Sequence, residues 1–172
     1  MSLVYRVKQF FRSLTAQSDP TQRGRVQEIL DPPLAELFYR MTPSDQAHGL
    51  RVLRVLELAR QSNPDLLAAA LLHDVGKSVH PPSVVDRIVV VLANQMFPRR
   101  VLKWGTSEPQ GWRRPFAIAS QHAGWGAQLA ADCGASTLLV NLIRSHQDPL
   151  PAEIRSPRDA LVMELYRADN EN

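Results

Sequence analysis

Leu66-Leu67-Ala68-Ala69-Ala70-Leu71-Leu72 runs without interruption into His73-Asp74-Val75-Gly76-Lys77. Leu and Ala are among the best helix formers, and a helix that is apolar all round belongs inside a protein. Asn63-Pro64 stands just ahead of the run, a capping residue followed by a proline suited to the first helical position. The pattern predicts a buried helix from residue 64 to about residue 73. Its end sets an imidazole beside a carboxylate, then a glycine that allows a sharp turn, then a lysine. Two metal ligands and a cation therefore meet at one point. The Asp74 carboxylate can bridge two metals, and Lys77 can reach a phosphate oxygen as a point charge. A buried carboxylate without a partner is costly, and a metal is the natural partner for Asp74.

Outward from this stretch the same punctuation recurs at Asp31-Pro32, Thr42-Pro43 and Ser156-Pro157. Thr42 with Asp45 and Ser156 with Asp159 add an acid in the first turn, which suits the positive end of the helix dipole. Leu, Ala, Arg and Glu dominate the periodic stretches and sustained strand alternation is missing, so the chain is expected to be all-α. Helices are predicted at about residues 3–14, 32–41, 43–60, 64–73, 84–94, 116–132, 136–146 and 157–170. The residues between the first two helices read as a linker, and 75–83 reads as a loop. Residues 98–114 read as an irregular basic stretch, with Arg99, Arg100, Lys103, Arg113 and Arg114 against Glu108 alone.

Composition narrows the classes. A chain of 172 residues with 44% apolar and 22% charged side chains can bury a sizeable core and is not disordered. The formal charge of +3 does not argue for a specific nucleic-acid partner. The single cysteine, Cys133, excludes a disulfide framework within the chain and a multi-thiolate zinc site; it reads as an inert small hydrophobe. The opening Met1-Ser2-Leu3-Val4-Tyr5-Arg6-Val7-Lys8 is charged where a secretion signal needs an apolar core, so a cytoplasmic location is expected.

Four of the five histidines fall at telling places in this plan. His48 lies in the first third of a long helix, His73 ends the apolar helix beside Asp74, His122 lies inside the 116–132 helix, and His146 ends the next one. Asp169 lies near the end of the last helix. Imidazole and carboxylate together suit Mn, Fe, Co, Ni or Zn, and helices of a bundle can point such side chains inward at one site.

His48, the Ala70-Leu71-Leu72-His73-Asp74-Val75-Gly76-Lys77 stretch and the distal Asp169 resemble the HD-domain (HDIG-type) superfamily of metal-dependent phosphohydrolases, over residues 43–172. The resemblance implies a helical bundle with a first metal held by His48, His73, Asp74 and Asp169. One branch of the superfamily carries a second metal on further histidines between the His-Asp pair and the last Asp, where His122 and His146 fall. His122-Ala123-Gly124-Trp125-Gly126-Ala127 is similar to a helix of the bacterial enzymes that split diadenosine tetraphosphate symmetrically. A second metal on His122 and His146, with Asp74 bridging, follows from that likeness. The cyclic-di-GMP hydrolases carry a Gly-Tyr-Pro element after a paired His, whereas Gln147-Asp148-Pro149 follows His146 here, which disfavours that substrate. The span from Asp74 to His122 is also longer than in the tetraphosphatases, and the 98–114 stretch fills it, placed to reshape the substrate pocket.

The expected function is hydrolysis of a phosphate ester or anhydride of nucleotide type. Metal coordination acidifies a water, and the hydroxide attacks phosphorus. Asp74 and Lys77 are the catalytic residues, and Lys77 and Trp125 the substrate contacts. The alternatives are a mononuclear 5'-nucleotidase-like enzyme, in which His122 and His146 serve packing, and a nucleotide-sensing module without turnover. Residues 1–41 are expected to form a helical extension packed on the core, and 42–172 the phosphohydrolase domain with its insertion at 98–114. Leu3, Val7, Phe10, Phe11 and Leu14 share a face of the first helix beside Arg6, Lys8 and Arg12. Packing onto the bundle is preferred there to peripheral contact with an anionic membrane. His80 reads as a loop residue, and Trp104 and Trp112 as packing.

Overall fold

The computed structural model describes residues 20–150 and 153–171. Among these residues the chain forms α-helices and short 3-10 turns, with no strand. The helices are α1 (Pro20–Ile29), α2 (Pro32–Arg40), α3 (Pro43–Leu58), α4 (Pro64–Leu72), α5 (Val84–Met96), α6 (Pro98–Gly105), α7 (Arg114–Asp132), α8 (Thr137–Ser145) and α9 (Pro157–Asn170). The all-α expectation holds. The proposed helix at residues 3–14 lies outside the described residues.

Each of the four capping-residue–Pro pairs starts a helix. Thr42, Asn63 and Ser156 accept hydrogen bonds from the backbone of Asp45, Leu66 and Asp159, satisfying donors that have no intrahelical partner. Asp31 makes no such side-chain bond, and there the proline alone sets the start.

α4 is the central helix. It touches α1, α2, α3, α8 and α9, which is why its run from Leu66 to Leu72 is apolar on every face. Leu66, Ala69, Ala70, Leu71 and Leu72 are fully buried. Leu53 and Leu56 of α3, Leu142 and Ile143 of α8 and Leu165 of α9 complete the core around it. Val26, Leu30, Leu34 and Phe38 belong to the same cluster, so residues 20–41 share one core with the rest.

Two stretches differ from the sequence reading. The supposed linker holds α1, whose only apolar residues are Val26 and Ile29, too few to make a periodic signal. Contacts made elsewhere in the chain hold it. Val26 is fully buried, and Arg25 pairs with Glu28 at 2.6 Å and with Glu57 of α3 at 2.7 Å. The stretch 98–114 is not irregular throughout. It contains α6 and a 3-10 turn at Gly111–Arg113. Val101 and Gly105 are buried, Trp104 stacks on Phe116 of α7 at 4.9 Å, and Gln121 of α7 donates to the carbonyls of Gly105 and Ser107, each at 2.7 Å. Those carbonyls at the end of α6 would otherwise lack partners. Within the supposed 75–83 loop, Val75–Ser78 is a 3-10 turn.

Close backbone approaches set where the helices meet. The turn at Gly76 lies directly against α7, where a Cβ at residue 76 would overlap the His122 carbonyl and sit 2.6 Å from the Gly126 nitrogen. At Gly49 of α3 a Cβ would stand 2.9 Å from the Leu71 carbonyl of α4. These contacts bring residues 48, 73, 74 and 122 to one place. Gly76→Ala is expected to cost at least about 1–3 kcal/mol, because the clash is with backbone rather than with a side chain that can swing away. Gly124→Ala, on the exposed side of the same α7 with nothing within 4 Å of the added Cβ, is expected to gain about 0.5–1 kcal/mol from helix propensity. Urea denaturation of the two variants checks the pair, and equal stabilities would contradict the packing argument.

Candidate metal centre

Six elements deliver the site. His48 comes from α3, His73 from the end of α4, Asp74 from the residue opening the 3-10 turn, His122 from the middle of α7, His146 from the end of α8 and Asp169 from the end of α9. The structure brings all six together. The imidazoles follow one another with centroid separations of 5.1 Å for His48–His73, 5.2 Å for His73–His146 and 5.3 Å for His146–His122.

The donor atoms form two groups, His48–His73–Asp169 and Asp74–His122–His146, each with its ligand atoms within 4.8 Å of one another. Asp74 stands between them. Its Oδ1 faces His122 Nε2 at 3.2 Å and His146 Nε2 at 3.9 Å, while its Oδ2 faces His73 Nε2 at 3.7 Å. The Lys77 ammonium donates to Oδ2 at 2.5 Å. His48 Nε2 lies 2.7 Å from Asp169 Oδ1.

The backbone selects the tautomers. His73, His122 and His146 each donate Nδ1–H to a carbonyl of their own helix, Ala70 at 3.1 Å, Ile118 at 2.9 Å and Ile143 at 2.7 Å. A carbonyl can only accept, so in the neutral ring the proton sits on Nδ1 and Nε2 offers a lone pair to the centre. The Nε2 atoms of His73 and His122 are buried and make no hydrogen bond. With that tautomer, His122 Nε2 and Asp74 Oδ1 turn two lone pairs on each other at 3.2 Å. Orphaned buried acceptors of this kind are costly, and a cation between them relieves the cost. The residues present therefore fit a divalent metal.

The electrostatics agree. Burial pushes the His73 imidazole below its ordinary range and the His146 imidazole down to about 3, so both rings stay neutral and ligating at neutral pH. Burial by itself would raise the Asp74 carboxyl, but the adjacent Lys77 ammonium outweighs it and holds Asp74 well below the usual carboxylate range. At Asp169 burial is likewise outweighed, there by the His48 hydrogen bond, and the carboxyl falls to about 2.

A cleft of about 190 Å³ opens beside the inner group. Lys77 and His122 lie on its wall, with Arg87 and Val90 of α5, Ile118 of α7 and Gln147. No residue of 98–114 lines it; the insertion packs on another part of α7, and α5 supplies the wall in its place. Trp125 is not in the lining either, and its ring meets His80 with centroids 5.3 Å apart. His80 takes no part in either donor group. Arg87 was not legible as a site residue, since from sequence it is one cation on a surface helix. Its Nη2 reaches both oxygens of buried Asp45 at 2.9 and 3.1 Å, which turns it toward the cleft.

A sequence model of the HD domain matches residues 47–171, a span that contains all six donors. The chain belongs to the HD domain family, a superfamily of metal-dependent phosphohydrolases. No curated protein and no solved structure matches it. Among the described residues, no helix is long and apolar enough to cross a membrane.

The depressed pKa values have a consequence for the metal-free protein. Between pH 6.5 and about 3 the unfolded His146 binds a proton that the native residue refuses, so native stability falls as pH drops through this range. Asp169 adds a further loss below its ordinary 3.8, where the unfolded carboxyl protonates first. Chelator-treated protein is expected to lose up to about 1.4 kcal/mol per pH unit for each such imidazole below pH 6.5. His146→Leu is expected to give a shallower decline in the same urea titration, and an unchanged slope would contradict the assignment.

Proposed function

We propose that the chain is a dinuclear metal-dependent phosphohydrolase acting on a phosphate ester or anhydride of nucleotide type. The observation that carries the reading is the position of Asp74, whose two carboxylate oxygens face different donor groups. A carboxylate so placed is suited to bridge two ions, the outer held by His48, His73 and Asp169 and the inner by His122 and His146. When bound, divalent ions supply an acidified water and positive charge beside the reacting phosphorus.

The chain's own groups do the rest. The Ala70, Ile118 and Ile143 carbonyls hold three imidazoles in the ligating tautomer and orientation. Lys77 lies on the cleft wall and within reach of Asp74, where it offers positive charge to a phosphate oxygen. Val90 and Ile118 give the cleft an apolar wall on which a base or sugar can lie, and Arg87 adds a second cation to the wall.

Elemental analysis of protein purified without chelator or nickel resin is expected to find about two divalent ions per chain. Asp74→Ala is expected to lose both and to cut hydrolysis by at least about a hundredfold. His122→Ala is expected to lose the inner ion and keep the outer. One ion per chain with intact nucleotidase activity would instead mark a mononuclear enzyme. Nucleotide binding without turnover in the metal-loaded protein would mark a sensing module.

A further inference from the structure

α5 is turned the opposite way from an ordinary surface helix. Val85, Ile88, Val89, Leu92 and Met96 recur at helical spacing and form one stripe about 100° wide. That stripe faces outward, with Val85 67% and Met96 68% exposed and no residue of α5 buried. The inward face carries the charges. Asp86 pairs with Arg114 of α7 at 2.6 Å and Arg87 with Asp45 of α3 at 2.9 Å, their side chains only 16% and 26% exposed. Ser83 and Asp86 complete a reciprocal cap at the helix start. Ion pairs therefore dock the helix, and its most apolar face is left to the outside. Contiguous exposed apolar surface of this kind marks an interaction site.

The chain continues the stripe through Phe97, 43% exposed, and Leu102, 75% exposed. Arg99, Arg100 and Lys103 follow within two turns of Met96, all exposed and without an ion pair among the described residues. Trp112 is 62% exposed with the Arg113 guanidinium 4.9 Å from its ring centre, and Arg100 lies 5.5 Å from that of Phe97. Glu108 is the only acid from 98 to 114.

We propose that the outward face of α5, together with the cations of α6, seats the protein on the surface of a membrane rich in anionic lipid. An aliphatic stripe enters the boundary between headgroups and acyl chains, and arginine and lysine beside it meet lipid phosphates. Exposed aromatic rings paired with guanidinium groups suit the same interface. The exposed cations of α6 beside the stripe favour a surface of lipid phosphates over an apolar protein groove. The inward face of the same helix walls the cleft, so seating leaves the donor residues on the far side of α5.

The test is sedimentation of the full chain with phosphatidylcholine vesicles, with and without phosphatidylglycerol. Binding is expected only with phosphatidylglycerol and is expected to weaken in high salt. Ile88→Asp with Leu92→Asp, and separately Arg99→Glu with Arg100→Glu, are each expected to reduce partitioning by about tenfold or more while helical circular dichroism is unchanged. Absence of binding to the anionic vesicles overturns the proposal. So does full binding by the Ile88→Asp/Leu92→Asp variant, which would assign it to the amphipathic segment 3–14. A dimer in light scattering that Leu92→Asp converts to monomer would overturn it in favour of a second copy on this face.

Discussion

A carboxylate buried at the junction of α4 and α7 governs this structure. Asp74 is 4% exposed, and an ion taken out of water at that depth must be met by charges and hydrogen bonds from the protein or by a metal. Lys77 from the adjoining turn meets one oxygen. Around the carboxylate stand His73, His122 and His146, each held by a backbone carbonyl so that its free nitrogen looks toward the same centre. Neutral lone pairs cannot by themselves satisfy an anion. The arrangement makes physical sense as a receptacle for cations.

That receptacle requires close helix packing, which the glycines and the apolar run of α4 provide. α4 can occupy the middle of the bundle because from Leu66 to Leu72 it carries no polar side chain, and Asp65 in its first turn is met by the Ser136 hydroxyl at the start of α8. Gly49 lets α3 approach the end of α4, and Gly76 lets the turn after it rest on α7. The same approaches that close the core set the imidazoles about 5 Å apart. Fold and site are therefore one construction, and α9 completes it by bringing Asp169 back beside His48.

α5 and α6 obey a different logic. They join the bundle through ion pairs, aromatic stacking and a few small residues rather than through an apolar seam. From sequence, 84–94 is a helix with no face assigned, and 98–114 an irregular basic stretch. The stripe faces out because Asp86 and Arg87 have partners on α7 and α3, and those partners lie 28 and 42 positions away in the chain. No local pattern carries that information.

The sequence by itself determined the helical class, the helix starts at capping residues followed by proline, and the buried nature of α4 with His73 and Asp74 at its end, while the wider set of candidate donors rested on the resemblance of its motifs to the HD domain. These are properties of short stretches: propensity, spacing, and the cost of placing His and Asp at the end of an apolar run. Only the tertiary structure decided which Asp74 oxygen faces which imidazole, that Nδ1 of three imidazoles is used up on carbonyls, that α1 exists through Val26 and Arg25, and that α5 rather than the 98–114 insertion walls the cleft. Each of those depends on which distant side chain or backbone atom comes within a few ångströms, and contact across the bundle leaves no periodic trace along the chain.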